Sequence, residues 1–150
     1  SKMMNKLFFL VILGVLAGCV SAPTRYSDGG VDMATIEETA LVEKGAMYRA
    51  LAVESTENSL INTASFKSEA AVIMEELRRR RPEWDWAAIY GNKVKVGMSD
   101  NEVLLSWGPP AYKNKASHGD QWVYRTYNFL TRRYYPQYVY IEGGKVVAWN

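Results

Sequence analysis

Two β-prone runs, residues 138–142 and 145–149, are separated only by Gly143-Gly144. Two glycines between extended runs can only reverse the chain into a tight hairpin, which makes the pair antiparallel. A third run, 121–127, reads Gln-Trp-Val-Tyr-Arg-Thr-Tyr and places Trp122, Tyr124 and Thr126 on one face. Residues 112–117 form a weaker fourth run, joined to the third through Ser117-His118-Gly119-Asp120. Residues 128–133 read as a loop. Loops this short predict a small antiparallel sheet of three to four strands.

Helical punctuation precedes the strands. Ser99 and Glu102 have the S-x-x-E spacing of a capping box, with Asp100 adding charge to the first turn. Val103, Leu104 and Trp107 then share a face. Gly108 suits the left-handed end of a helix, and Pro109-Pro110 forbid its continuation. Further back, 66–81 is an amphipathic helix with Phe66, Ala70, Val72, Ile73, Met74 and Leu77 on one side. Ser65 is positioned to cap it and Pro82 to stop it. Residues 35–53 read as another helix, with Thr35 and Glu38 as its capping box and Ile36, Ala40, Met47 and Leu51 along one side. Gly45 weakens its middle by about 1 kcal/mol relative to Ala. Residues 54–64, rich in Ser, Thr and Asn, read as a loop or frayed end. Pro82 opens a short segment to Tyr90 in which Trp84 and Trp86 are packing groups. Helices first and strands second predict an α+β fold, with N-terminal helices packed on the sheet.

Cys19 is the only cysteine among 150 residues, so neither an internal disulfide nor a multi-cysteine metal site can hold this fold together. The formal charge of +2 comes from Lys2 and Lys6 alone; from Cys19 onward acids and bases balance at 16 each. They are segregated, with 10 acids and 4 bases over 19–77 and 6 acids and 12 bases over 78–150. Such halves either attract each other or steer a partner. The Arg78 to Arg81 run at a helix end complements the helix dipole; it reads as a solvated end or as a contact for an acidic partner or anionic lipid.

The N-terminal segment carries targeting information. Met3 or Met4 is the expected start. Lys2 and Lys6 precede an unbroken apolar run over 7–16 that, as a helix, rises only about 15 Å, too short for a bilayer span and suited to a signal peptide. Leu16-Ala17-Gly18-Cys19 follows and resembles the bacterial lipobox. The resemblance implies cleavage before Cys19, a diacylglycerol on its thiol and an N-acyl group on its new amine. Two or more chains make stable membrane anchoring. No Asp follows the cysteine, which by the same resemblance implies sorting to the outer membrane, facing the periplasm. Residues 20–32 read as a flexible tether. The expected organisation is therefore a signal over 1–18, anchor and tether over 19–32, a helical region over 33–92 and an α+β module over 93–150.

In that last module Gly97-Met98-Ser99, Glu102-Val103, Trp107-Gly108-Pro109, Trp122-Val123-Tyr124 and Tyr138-Val139-Tyr140 with Gly144-Lys145-Val146-Val147 occur in order. This pattern resembles the SmpA/OmlA (BamE-like) outer-membrane lipoproteins over about 93–149. The resemblance implies a helix pair on a three-stranded antiparallel sheet, similar to the β-lactamase-inhibitor-protein module. It also implies a non-enzymatic role in outer-membrane barrel assembly or envelope integrity.

Catalytic signals are weak. His118, the sole histidine, falls in a turn, and no G-x-S-x-G elbow or phosphate loop accompanies it. Glu75 and Glu76 are paired carboxylates on a helix that reads as solvated. A neutral exported chain argues against nucleic acid, and no small-molecule substrate or cofactor is expected beyond the lipid on Cys19. Tyr, Trp and Arg are the common anchors of interfaces. The expected partner-binding residues are Tyr112, Tyr127, Arg132, Arg133, Tyr134 and Tyr135, with Trp107, Trp122 and Trp149 assigned to the core. The leading expectation is an envelope interaction module. An inhibitor-like lipoprotein that blocks an enzyme or channel, and a peptidoglycan-binding lipoprotein that stacks Tyr and Trp on sugars, are its alternatives.

Overall fold

Asp32 accepts a bond from Ala34 N at 2.9 Å and so caps a 3-10 turn over Met33–Thr35. The computed structural model describes residues 32–57 and 63–150. The expected signal, Cys19 and the tether up to residue 31 lie outside the described residues, as does 58–62 of the expected loop.

Helix α1 spans Glu38–Glu57 and α2 Thr63–Arg80. Both are longer than the sequence suggests, since α1 runs through 54–57 and α2 begins ahead of Ser65, which sits within its first turn instead of capping it. The Thr35–Glu38 box does not form. Thr35 Oγ1 instead donates to Asp32 O, and the Glu38 carboxylate pairs with Arg81 at 2.8 Å. The buried stripe of α1 differs from the expected one, because the neighbours it packs on, α2 and α4, select the face. Leu41, Val42, Ala46 and Ala52 are buried, whereas Met47 is exposed. Gly45 is buried where a Cβ would lie 3.1 Å from Ile73 Cγ2 and 3.3 Å from Leu105 Cδ2, so its lack of a side chain lets α1 pack closely. The α2 face is as expected, with Ala70, Ile73, Met74 and Leu77 buried.

Helix α3, Trp86–Tyr90, is capped by Asp85, not opened by Pro82. Helix α4, Asp100–Trp107, carries the expected Ser99–Glu102 box and ends at Gly108, whose φ of +80° is the left-handed setting. Glu102 does more than cap. It is buried and also accepts from Asp85 N at 2.8 Å, joining the starts of α3 and α4. The buried apolar side chains of α4 are Val103 and Leu105; Leu104 and Trp107 are only partly covered.

Four antiparallel strands complete an α+β fold in the order β1 (Tyr112–Ala116), β2 (Gly119–Asn128), β3 (Arg133–Glu142) and β4 (Lys145–Trp149). The fourth strand, β1, exceeds the three implied by the family resemblance. One hydrophobic cluster joins Leu41, Ile73, Leu77, Ile89 and Val103 from the helices to Trp122, Val139 and Val146 from the sheet. Trp107 meets Tyr124 edge-on at 5.3 Å, and the Tyr124 hydroxyl donates to Gly108 O. Burial raises the Tyr124 hydroxyl pKa. Trp149 is not a core residue: it is half exposed and meets the Trp107 ring edge-to-face at 6.0 Å.

Two arginines tie the helices together. Arg49 of α1 donates to Leu105 O and Ile89 O, carbonyls in the last turns of α4 and α3, and to Asn92 Oδ1. Burial lowers its pKa. Arg80 donates to Met33 O and Ile36 O, each at 2.7 Å, and to Glu76. Glu76 is buried, not solvated as expected. The guanidinium of Arg79, bonded to it on two oxygens, together with Arg80 holds its carboxyl down at about 2. Three of the four residues in the 78–81 run therefore make internal ion pairs: Arg79 and Arg80 with Glu76, Arg81 with Glu38.

Candidate interaction surface

β2 and β3 outrun their neighbours. β1 pairs with β2 only as far as Tyr112↔Val123, because the residues before Ala111 are Pro110 and Pro109, which have no N–H to donate. On the other side, β4 reaches its limit where Tyr138 and Asn150 exchange two backbone bonds. Beyond these points β2 and β3 continue as a two-stranded ribbon through the pairs Tyr124↔Gln137, Arg125↔Pro136, Thr126↔Tyr135, Tyr127↔Tyr134 and Asn128↔Arg133. Five such steps project about 17 Å.

The sequence explains this ribbon locally. Asn128 Oδ1 accepts from Leu130 N and Thr131 N, a side-chain turn of the kind asparagine favours. Arg132 closes the reversal at a φ of +54°. The Thr126 hydroxyl donates to Gln137 across the strands, and the Tyr135 hydroxyl to Thr131. Arg133, expected at the end of the 128–133 loop, is a strand residue of β3 together with Tyr134 and Tyr135, since the true loop is only 129–132.

Every residue from Arg125 to Pro136 is exposed. Phe129 is 72% and Leu130 95% accessible at the apex. Behind them Tyr127 packs against Phe129 at 4.9 Å and against Tyr134 at 5.0 Å. Register places Tyr112, Val123 and Tyr138 side by side on the sheet face opposite the helices, with Arg125 and Tyr127 further along that face. The Arg125 guanidinium lies 5.7 Å from the Tyr112 ring. Val123 is fully buried on this face between the two tyrosines.

The six expected partner-binding residues thus converge only in part. Tyr127 and Tyr134 touch, Arg132 and Arg133 adjoin them at the turn, and Tyr112 lies further down the same face. Tyr135 emerges on the opposite face of the ribbon, in register with Thr126. Phe129, Leu130 and Arg125 belong to the surface and were missed. The signal was present as two apolar residues inside a polar loop, but nothing in the sequence shows that the loop stands clear of the core.

His118 lies at the other end of the sheet. It borders a cavity of about 250 Å³ whose walls include Lys115, Asp120, Tyr140 and Glu142. Among the described residues no group of three His, Cys, Asp or Glu side chains is placed to hold a metal ion, and no helix is long and apolar enough to cross a membrane. No protein-family model, curated protein or solved structure matches the chain.

Proposed function

We propose that this protein is a non-enzymatic, membrane-tethered interaction module of the bacterial envelope that engages a protein partner through the β2–β3 ribbon. The observation that carries this reading is the ribbon itself. A cluster of Tyr127, Phe129, Leu130 and Tyr134 stands exposed beside Arg125, Arg132 and Arg133. An exposed apolar patch with aromatic and arginine anchors is the composition of a binding hot spot.

The rest of the proposal comes from the sequence. The apolar run and the Leu16–Cys19 tetrapeptide support export and acylation of Cys19, with the domain facing the periplasm from the outer membrane. The 97–149 pattern, similar to the SmpA/OmlA (BamE-like) lipoproteins, supports barrel-assembly machinery as the partner. A lipid anchor ahead of the domain and a contact ribbon on it suit a part that holds a second protein near the membrane.

A cross-linked pull-down from native membranes, read by mass spectrometry, tests this. The full chain is compared with Cys19→Ala and with a Phe129→Ser/Leu130→Ser variant. Barrel-assembly proteins recovered by the wild type and lost with both variants are the expected result. Recovery that is unchanged by the ribbon variant refutes the assigned surface. Sedimentation with purified cell wall in place of any protein partner replaces this reading with a glycan-binding one.

A further inference from the structure

The two edges of the ribbon are not equivalent. In an antiparallel strand, alternate residues turn both backbone groups to the same side. Val123 O accepts from Ala111 N, so Val123 faces the β1 side, and Arg125 and Tyr127 turn their N–H and C=O the same way. Nothing lies there to meet them: β1 has ended, and no bond reaches these four groups among the described residues. On the other strand Tyr138 faces β4, so Pro136 and Tyr134 turn their backbone groups to that side. Pro136 has no N–H, which blunts the edge against added strands. Of the sheet's two outer edges, β1 turns the backbone groups of Lys113 and Lys115 outward, a lysine-bearing edge that resists added strands, and β4 is engaged at Val146 by the segment ahead of α4: Gly97 N donates to Val146 O, and Val146 N donates to Met98 O. One stretch of edge, at Arg125–Tyr127, therefore combines open backbone groups with an adjoining aromatic platform.

We infer that this stretch accepts an extended segment of the partner as an added β-strand, lying in the line that β1 vacates, and that this segment is acidic with alternating apolar residues. The inference rests on the ribbon being the contact surface proposed above. Strand addition supplies main-chain bonds for affinity and alternate side-chain contacts for specificity. On the outer face, every second side chain of the incoming strand lands beside Arg125 and the Tyr127–Phe129–Tyr134 rings. Charge selects the sequence. Residues 121–141 contain Arg125, Arg132 and Arg133 and no carboxylate or lysine. That field attracts an acidic strand and disfavours a second copy of this ribbon, whose own charges are alike. A hydrocarbon environment is the poorer fit for the edge, because amides at Arg125 and Tyr127 find no acceptor in lipid.

The test uses the full chain, ¹⁵N-labelled in detergent, with two blocked synthetic peptides as probes. One alternates glutamate with valine and tyrosine; the other replaces each glutamate with lysine. The acidic peptide is expected to slow hydrogen exchange at the Arg125 and Tyr127 amides by about tenfold or more, with no such effect from the lysine peptide. Tyr127→Pro removes one outward N–H and leaves the bonds to β3 in place, as Pro136 already does opposite. It is expected to weaken the acidic peptide by about tenfold more than Tyr127→Ala does, and Arg125→Pro against Arg125→Ala repeats the comparison should the first variant distort the ribbon. Equal binding of both peptides overturns the inference. So does equal binding by the Pro and Ala variants, or an absence of protection at these amides. Protection confined to 129–133 on adding vesicles with one-third anionic phospholipid would assign the apex to a lipid surface instead. If membrane cross-linking still recovers the partner with Tyr127→Pro, strand addition fails while the interaction module stands.

Discussion

Gly45→Ala is the substitution where helix propensity and packing give opposite signs. In a solvated helix interior, replacing Gly by Ala stabilises by about 1 kcal/mol through lost backbone entropy in the unfolded chain. Here the new methyl would lie 3.1 Å from Ile73 Cγ2, 3.3 Å from Leu105 Cδ2 and 3.7 Å from Met74 Sδ. Ile73 and Leu105 are almost wholly inaccessible, so neither can swing into solvent to relieve the contact. Their rotamers must strain, or α1 must move off α2 and α4 by a few tenths of an ångström. Forcing one extra methyl into such a core costs about 1–3 kcal/mol. The net expectation is a loss of about 1 kcal/mol, a fall in Tm of roughly 3–5 °C for a domain of this size. Thermal and urea unfolding followed by circular dichroism measure it. A second arm adds Leu105→Val, which deletes both δ carbons. The double variant is expected to recover at least about 0.5 kcal/mol relative to the sum of the singles. A rise in Tm for Gly45→Ala alone would refute the packing argument and leave propensity in charge.

Other outcomes follow from the same contacts. Arg49→Met takes the guanidinium donor from Leu105 O and from Ile89 O, the latter keeping the backbone bond from Asn92 N, and is expected to cost about 2–3 kcal/mol by chemical denaturation, with protection lost first at the ends of α3 and α4 in hydrogen exchange. Glu76 has a folded-state pKa depressed from 4.5 to about 2 by Arg79 and Arg80, so its stabilising share is fully present above pH 4.5 and disappears as pH falls through 2. A stability–pH profile of Glu76→Gln should therefore be flatter than wild type in that window and lower above it. Glu102→Ala, which leaves Asp85 N and Ser99 N without their acceptor, should cost about 3 kcal/mol against about 1 kcal/mol for Ser99→Ala in matched urea titrations. Leu130→Asp should leave stability within about 0.5 kcal/mol of wild type, because the side chain meets solvent almost everywhere; a larger loss would mean the apex packs on the domain.

Some of this fold is readable because its signals are local. The α4 box needs only Ser99, Glu102 and the Gly108-Pro109-Pro110 stop, and it appears as read. The Gly143-Gly144 turn and the alternation around Trp122 likewise specify strands without distant help. Thr35 and Glu38 show the limit. Their spacing satisfies the box, yet Arg81, 43 residues after Glu38, takes the carboxylate, and the helix begins later. Gly45 reads as a weakness because its closest neighbours, Ile73 and Leu105, come from two other helices. Glu76 reads as solvated because its burial depends on how α2 sits against the rest of the fold. The proposed interaction surface was half legible. Tyr127, Arg132, Arg133 and Tyr134 stand out by type. That they rise on a ribbon depends on where β1 and β4 stop, and only pairing in space decides that.

Arg80 also determines how the molecule bears mechanical load. Tension that arrives at Met33 meets a residue sunk into the core whose carbonyl, like that of Ile36, is gripped by one guanidinium. That guanidinium is itself braced by Glu76 on α2. A pull on the leading chain is thus passed sideways into the second helix before the first can be peeled turn by turn. Bonds loaded together in this way yield at higher force than bonds opened one after another. A domain hung by its leading end would keep its shape under strain for as long as that grip holds.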